Sequence, residues 1–498
     1  GANALRTSHN PPAPELLDLC DRMGMLVMVE TFDTWRAAKT PNDYSALFAD
    51  WHARDLRAVI RRDRNHPSVI LWCIGNEVLE LGDAAAGPAI AARLTAIAHD
   101  EDPTRPTIVG SNQGDACYNG IQRAVDIMGQ NYETGGYARF RAENPHIPLV
   151  ATETASTVST RGEYVFQTAD RAAAVRAMDI LKARERGRPE PAPFDPAMFN
   201  PVSETKGHGQ ANFQMSSYDL YAPPWGRTPD DEFRALAANP HVAGEFVWTG
   251  FDYLGEPTPF NDDRTNLLNF HDAEGKAEME LQLKELGRLP IPSRSSYFGI
   301  VDLAGFKKDR YFLYQSHWRP ELPMAHLLPH WTWPDRVGLV TPVHVYTSGD
   351  EAELFLNGVS QGRRKKTADT HRLRWNEVVY TPGELTVIAY KGGREWARDT
   401  VRTAGPAARL LAAADRDTIR GDGLDLAFVT VRVVDDAGTM IPRANPAIQF
   451  AIEGPGEIVA VDNGDPTSFE PFQARERKAF NGLALVIVRA ARGQTGSL

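Results

Sequence analysis

Cysteine is scarce: the 498 residues hold only Cys20, Cys73 and Cys117, widely separated, with Cys73 inside an apolar run. That scarcity excludes a disulfide framework and a thiolate metal cluster, and leaves the three as small buried hydrophobes. No apolar run reaches the roughly 18 residues that a bilayer-crossing helix needs, so no membrane partner is expected. Basic charge is also short, with 54 Lys and Arg against 65 Asp and Glu and a net charge of −11. The one concentrated basic run, RRKK at 363–366, is too brief for a nucleic-acid face, so no nucleic acid is expected either. The opening GANALRTSHN has neither a charged leader nor an apolar segment. It leaves the compartment open, with a periplasmic or secreted one favoured over the cytoplasm.

What is present is globular: 42% of the residues are hydrophobic and 24% charged. The length predicts about three domains, with one large barrel allowed. As far as about residue 320, short apolar runs alternate with amphipathic segments, the pattern of βα units around a parallel sheet. Strands are predicted at 3–8, 25–30, 69–75, 107–111, 126–130, 149–153 and 242–248. PELLDLCDRMG predicts a helix with Leu16, Leu19, Cys20 and Met23 on one face and a stop at Gly24. DYSALFADWHARDLRAVIRRDRN predicts a longer one that packs through Leu47, Trp51, Leu56, Val59 and Ile60 and ends before Pro67. Residues 163–221, rich in Pro, Gly and Arg, read as a long excursion between strand and helix. Seven strands are one short of a closed (β/α)8 barrel, so the first strand is expected upstream of Gly1.

Beyond about residue 335 the period changes to two. PVHVYTSGDEAELFLNGVSQGRR carries the hairpin signal Asn357-Gly358, and LRWNEVVYTPGELTVIAYKGG places Pro382-Gly383 similarly. AGPAARLLAAADR links to a second all-β stretch. The expected organisation is a (β/α)8 barrel at 1–335, lacking its first strand, followed by immunoglobulin-like β-sandwich modules at 336–405 and 406–498.

The run HPSVILWCIGNE reads as a buried strand that ends on Asn76 and Glu77, and LVATETAS likewise ends on Glu153. In a (β/α)8 barrel the carboxyl ends of the strands build the active site, so both carboxylates point into one cup. Glycoside hydrolysis needs such a pair: one carboxylic acid protonates the leaving oxygen while the other carboxylate attacks or activates water. A single strand-end glutamate is more often a solvated loop residue, and the pairing is what carries the inference.

Six runs carry a resemblance that strengthens it. DRNHPSVILWCIGNE (63–77), NALRTSHNPP (3–12), CDRMGMLVMVETFD (20–33) and GEFVWTGFDYLGEP (244–257) closely resemble glycoside hydrolase family 2, its β-galactosidase branch in particular. LLPHWTWP (327–334) and VYTSGDEAELFLNG (345–358) look like that branch's modules after the barrel. The resemblance implies that Glu77 is the general acid/base, Glu153 the nucleophile of a retaining double displacement, and Asn76 the partner of the sugar 2-hydroxyl. It implies supporting roles for Arg6 and His9, with Arg6 stabilising Glu153. For His9 a loop cap is the plain alternative. Tyr132, in GQNYE, is a donor to hold Glu153 ionised. Trp248 resembles the family's aromatic platform, with core packing an equal alternative. Glu30 and Asp33 are expected to touch sugar hydroxyls, unless Asp33 caps a helix.

Two places depart from the family. Where magnesium-binding members follow the third strand with a Glu and a His, this chain reads TFDTWR, so no metal and no cofactor are expected. After Glu153 stands Thr154-Ala155-Ser156 instead of a histidine. The family's jelly-roll and immunoglobulin-like domains before the barrel do not occur in the sequence, and such N-terminal domains of the same protein are expected partners. A homo-oligomer is allowed. The expected function is an exo-acting retaining β-galactosidase on an oligosaccharide or polysaccharide. The alternatives are a β-glucuronidase or other family 2 β-glycosidase, a carbohydrate-binding protein on an inactive barrel, and adhesion or polysaccharide attachment through the two C-terminal modules.

Overall fold

The computed structural model describes residues 1–166, 213–260, 295–368 and 370–497, with 273, 274 and 277. Most of the expected excursion, residues 167–212, lies outside the described residues. The chain divides into two compact units, Gly1–Ser156 with Pro224–Trp248, and Thr157–Pro223 with Thr249–Leu498.

The first unit is built on a parallel sheet in sequential order: β1 (Ala4–Thr7), β2 (Leu26–Glu30), β3 (Val69–Asn76), β4 (Thr107–Ser111), β5 (Ile127–Asn131), β6 (Leu149–Ala155) and β7 (Val242–Ala243), with β8 (Val247–Trp248) also on β6. This is a (β/α)8 barrel sheet short of its closing strand: among the described residues β1 pairs only with β2. The helices α1 (Pro14–Met23), α2 (Ser45–Asp63), α3 (Ala86–Glu101), α4 (Tyr137–Glu143) and α5 (Pro229–Ala238) alternate with the strands. β3 shows why its sequence is so apolar, since seven of its eight residues are buried and a strand covered on both faces has no solvent side to mark with polar residues.

Three local expectations are corrected. The stretch 242–248 is not one strand: Gly244, at φ 86, turns the chain so that β7 pairs with Leu149 and Val150 and β8 with Thr154 and Ala155. α1 starts with Pro14 and stops at left-handed Gly24 as expected, but it buries Leu17 and Cys20 and leaves Leu19 and Met23 exposed. α2 packs through Phe48, His52, Leu56, Val59 and Ile60, while Leu47 and Trp51 face solvent. Arg54 lies over the exposed Trp51 ring at 4.5 Å.

The second unit carries the β-sheet modules. β9 (Ala325–Leu328), β10 (Val343–Thr347) and β13 (Leu373–Trp375) form one sheet, and β11 (Glu351–Leu356), β12 (Val359–Lys365), β14 (Glu384–Lys391) and β15 (Arg394–Arg402) another. One buried cluster, which includes Trp331, Val345, Leu354, Trp375 and Val387, takes residues from both sheets. β9 precedes residue 336 and yet pairs with β10, so this module draws on chain upstream of the expected boundary. Asn357 and Gly358 both have positive φ and close the β11–β12 hairpin. Pro382-Gly383, by contrast, makes no hairpin: it leads into β14, which pairs with β11 and β15 and not with β13. The last module holds the sheet β16 (Arg409–Ala414), β17 (Leu426–Val434), β21 (Leu483–Ala490), β19 (Gly456–Asp462) and the pair β18 (Ala447–Gln449) with β20 (Glu476–Lys478).

Gly75, one residue before Asn76, is where core packing meets the strand end. A Cβ there would stand 2.8 Å from Nε1 of Trp35, which is fully buried and donates through that nitrogen to the Ile74 carbonyl at 2.8 Å. Gly75→Ala is therefore expected to cost about 1–3 kcal/mol. A thermal unfolding midpoint equal to the wild type's would show that Trp35 yields without cost.

Candidate active site

The carboxyl ends of the parallel strands gather one set of polar side chains. β1 supplies Arg6 and, just beyond it, His9; β2 ends on Glu30; β3 delivers Asn76 and Glu77; β5 delivers Asn131 and Tyr132; β6 supplies Glu153 and β8 Trp248. Arg6 stands at the centre. One guanidinium nitrogen donates to Glu153 Oε1 at 2.6 Å, the other donates to Asn76 Oδ1 at 2.8 Å and also pairs with Glu30. His9 meets Glu30 Oε2 through Nδ1 at 2.8 Å, places Nε2 3.7 Å from Glu153 Oε1, and stacks its ring on Trp248 with centroids 5.1 Å apart. The second oxygen of Glu153 accepts from the Tyr132 hydroxyl at 2.9 Å, and Ser156 donates to that hydroxyl at 2.8 Å.

Glu77 is held by amides instead of cations. Asn131 Nδ2 donates to Glu77 Oε1 at 2.8 Å and to Asn76 Oδ1 at 3.1 Å, and Asn112 Nδ2 donates to Glu77 Oε2 at 3.0 Å. A continuous chain of hydrogen bonds thus runs from Glu77 through Asn131, Asn76 and Arg6 to Glu153. Burial and the charge of Glu153 push the Glu77 carboxyl above its ordinary value, against the Asn131 bond and the positive charges of Lys39 and His9. Burial works against a charged His9, but the bond and charge of Glu30, with the charge of Glu153, hold it above the usual histidine value. Burial, and then Glu153, carry the Tyr132 phenol well above the usual tyrosine value, so it stays a donor.

Glu77, Tyr132, Ala155 and Ser156 all have positive φ, between 45 and 64. Non-glycine residues there cost on the order of 1–3 kcal/mol each and collect where function needs a fixed geometry.

Each sequence-predicted site residue is therefore located; one expectation changes, for Glu30, and one alternative falls away, for Asp33. The Glu30 side chain is fully buried, and its oxygens are taken by Arg6, His9 and the Cys73 thiol, the last at 3.2 Å. It supports Arg6 and His9 from beneath and is out of a sugar's reach. Asp33 caps no helix, since Tyr44 occupies the position before α2; it pairs with Lys39 at 2.7 Å. Reading the sequence overlooked Lys39, Asn112, Asn131, Ser156 and Cys73. Asn131 had a signal, because it is the last residue of β5, the same position that draws attention to Asn76 on β3.

In the stretch TFDTWR, the Trp35 indole donates to the Ile74 carbonyl and Thr34 is buried, so neither offers the carboxylate or imidazole that magnesium-binding relatives place after the third strand. Among the described residues, one group of acidic and histidine side chains has ligand-like spacing: Asp18, Asp21 and His66. It lies at the opposite, amino-terminal end of β3, where Asp21 already accepts from His66 and from the Ser68 amide.

Comparison with known proteins agrees with the fold. Residues 1–165 match the TIM barrel domain of the family 2 glycosyl hydrolases, and residues 410–498 match glycoside hydrolase family 2 C-terminal domain 5. The chain belongs to glycoside hydrolase family 2. Between those matches, residues 338–397 fit a domain of unknown function. Among family 2 relatives, the β-galactosidase BoGH2A of Bacteroides ovatus is 37% identical over 520 residues, covering 98% of this chain and 54% of that protein. A putative β-glucuronidase of Formosa agariphila is 33% identical, covering 94% of this chain and 40% of that protein. The crystal structure of a β-glycosidase from Bacteroides vulgatus superposes with a TM-score of 0.77 at 32% identity, over 99% of this chain and 57% of that one. The chain spans about half the length of the curated relatives it matches.

Arg6 faces two buried carboxylates, and removing it leaves both without their main cation. Arg6→Met is expected to cost about 3–5 kcal/mol. Against burial, Arg6 and His9 hold Glu30 below its ordinary 4.5. The stability that Glu30 contributes is thus full above that pH and is lost as the pH falls through its lowered value. The difference between variant and wild type should accordingly be greatest near neutrality and shrink in acid, as measured by urea unfolding across pH. A difference that does not vary with pH would contradict the pairing.

Proposed function

We propose that this chain is the catalytic part of a retaining, exo-acting β-glycosidase, a β-galactosidase that removes terminal β-linked galactose from an oligosaccharide or polysaccharide. The observation that carries this reading is the unequal setting of two carboxyl groups on one hydrogen-bonded chain. Glu153 receives a guanidinium and a phenol hydroxyl, donors suited to an anion, while Glu77 receives only amides and is pushed toward its protonated form by burial.

In the proposed reaction Glu153 attacks the anomeric carbon while Glu77 protonates the departing oxygen, giving a glycosyl-enzyme ester. Glu77, now a carboxylate, takes a proton from water, which attacks the same carbon and releases Glu153 with net retention. A retaining pair stands about 5–5.5 Å apart. Asn76, fixed by Arg6 and Asn131, serves the sugar 2-hydroxyl, Asp33 contacts a further hydroxyl, and Trp248, braced by His9, offers a ring for the sugar to lie on. A neutral sugar is favoured over a uronate, because the cations of the described site are already committed: Arg6 to Glu30 and Glu153, His9 to Glu30, Lys39 to Asp33. A carbohydrate-binding role on an inactive barrel is disfavoured because both carboxylates are present and supported.

A panel of 4-nitrophenyl glycosides tests the reading. The β-galactoside should be hydrolysed with retention, visible by proton NMR, and Glu77→Gln and Glu153→Gln should each lose about 10²–10⁴-fold or more. Activity should fall on the alkaline side as Glu77 gives up its proton, at a pH above the ordinary 4.5, and that limb should vanish in Glu77→Gln. Hydrolysis of the glucuronide alone would overturn the choice of sugar; binding without hydrolysis would overturn catalysis.

A further inference from the structure

Lys39 has no part in the reaction as proposed, yet the chain spends much of a loop on placing it. Between β2 and α2 the backbone is held by two carboxylates. Glu80, itself 8% exposed, accepts the Arg36 and Ala37 amides, both at 2.8 Å. Asp43 accepts the Lys39 and Thr40 amides at 2.8 and 3.0 Å. The Lys39 side chain then reaches back to the end of β3, where Nζ donates to Asp33 Oδ1 at 2.7 Å and to the main-chain carbonyl of Asn76 at 2.8 Å.

That carbonyl belongs to the peptide group that joins Asn76 to Glu77. Its N–H, on Glu77, donates to the Gly110 carbonyl at 2.8 Å, so the peptide is gripped at both ends, by β4 on one side and by Lys39 on the other. The grip matters because Glu77 sits at φ 45, a conformation that a side-chain-bearing residue rarely keeps without support. Rotation of this peptide swings the whole Glu77 side chain, whereas Asn131 and Asn112 hold only its far end. Asp33 balances the ammonium charge and lies within 3.4 Å of Asn76 Nδ2, tying the clamp to the residue beside Glu77.

We propose that Lys39 is a positioning residue for acid/base catalysis: by clamping the Asn76 carbonyl it fixes the strand-end peptide so that the Glu77 carboxyl meets the leaving-group oxygen. This rests on the roles of Glu77 and Glu153 given above. Its signature is dependence on the leaving group. A 2,4-dinitrophenolate departs without a proton, so formation of the glycosyl-enzyme from that substrate does not need Glu77, whereas loss of phenol does.

The test is kcat/KM for a series of aryl β-galactosides with wild type and Lys39→Met, which keeps the length of the side chain and removes its donors. The variant is expected to keep the 2,4-dinitrophenyl galactoside within about threefold and to lose about 10- to 100-fold on the phenyl galactoside, part of a full acid's contribution. Azide, which needs no general base, should raise its turnover of the dinitrophenyl substrate and give galactosyl azide. A loss spread equally along the series, as a merely loosened or unfolded protein would show, overturns the proposal, and so does no loss at all. The dinitrophenyl substrate is the internal measure of an intact fold. Failure of the wild type on the whole series would instead overturn the functional reading, and the role of Lys39 with it.

Discussion

One buried guanidinium organises the cup. Arg6 touches three strand ends besides its own, through Glu30 on β2, Asn76 on β3 and Glu153 on β6. A cation so placed tolerates few alternatives: arginine's planar fork serves several acceptors at once, and each acceptor that moved away would leave a buried charge without a partner. This asymmetry turns a weak source of net stability into a strong source of geometry. Glu153, Asn76, and through Asn131 the Glu77 carboxyl all inherit their positions from it.

The same arrangement separates two carboxyl groups of identical chemistry. Glu153 is bonded or paired to Arg6, His9 and Tyr132; the hydrogen bonds to Glu77 come from amides, with Lys39 and His9 acting on it only as nearby charges. Neither residue type nor sequence distance makes that distinction, which comes from which strand end supplies which neighbour. The positive φ values at Glu77, Tyr132, Ala155 and Ser156 fall at these same strand ends, where strained backbone is kept for a fixed geometry.

Much of this was legible in the sequence because buried parallel strands carry a simple signal. An apolar run that stops on a polar residue marks a strand end, and in this fold a strand end marks the cup, which is how Asn76, Glu77 and Glu153 came forward. The family's motifs added Arg6, His9 and Trp248 and gave Asn76 its expected role, while Tyr132 came forward as a donor suited to an ionised Glu153. What stayed hidden depends on more distant partners. Glu30 has the same signature as Glu77, and only its full burial under Arg6 and His9 distinguishes a support from a contact. Lys39 is a charged residue in a loop, and nothing local shows that Glu80 and Asp43 fold the loop back onto β3. The helix faces of α1 and α2 were misread because Leu19, Met23, Leu47 and Trp51 are apolar at helical spacing but fall outside the buried stripe. Gly244 looked like a strand residue until its positive φ was seen to split β7 from β8.

The roles of the two carboxyl groups turn most directly on which of them becomes covalently attached to sugar. Treating the protein with 2-deoxy-2-fluoro-β-galactosyl fluoride slows breakdown of the intermediate, and mass mapping of its peptides then locates the label. A fluorogalactosyl ester on the peptide that carries Glu153, at that residue, is the predicted result. Label on Glu77, or turnover of galactosides with no ester formed at either position, would contradict the assignment that the Arg6 network makes.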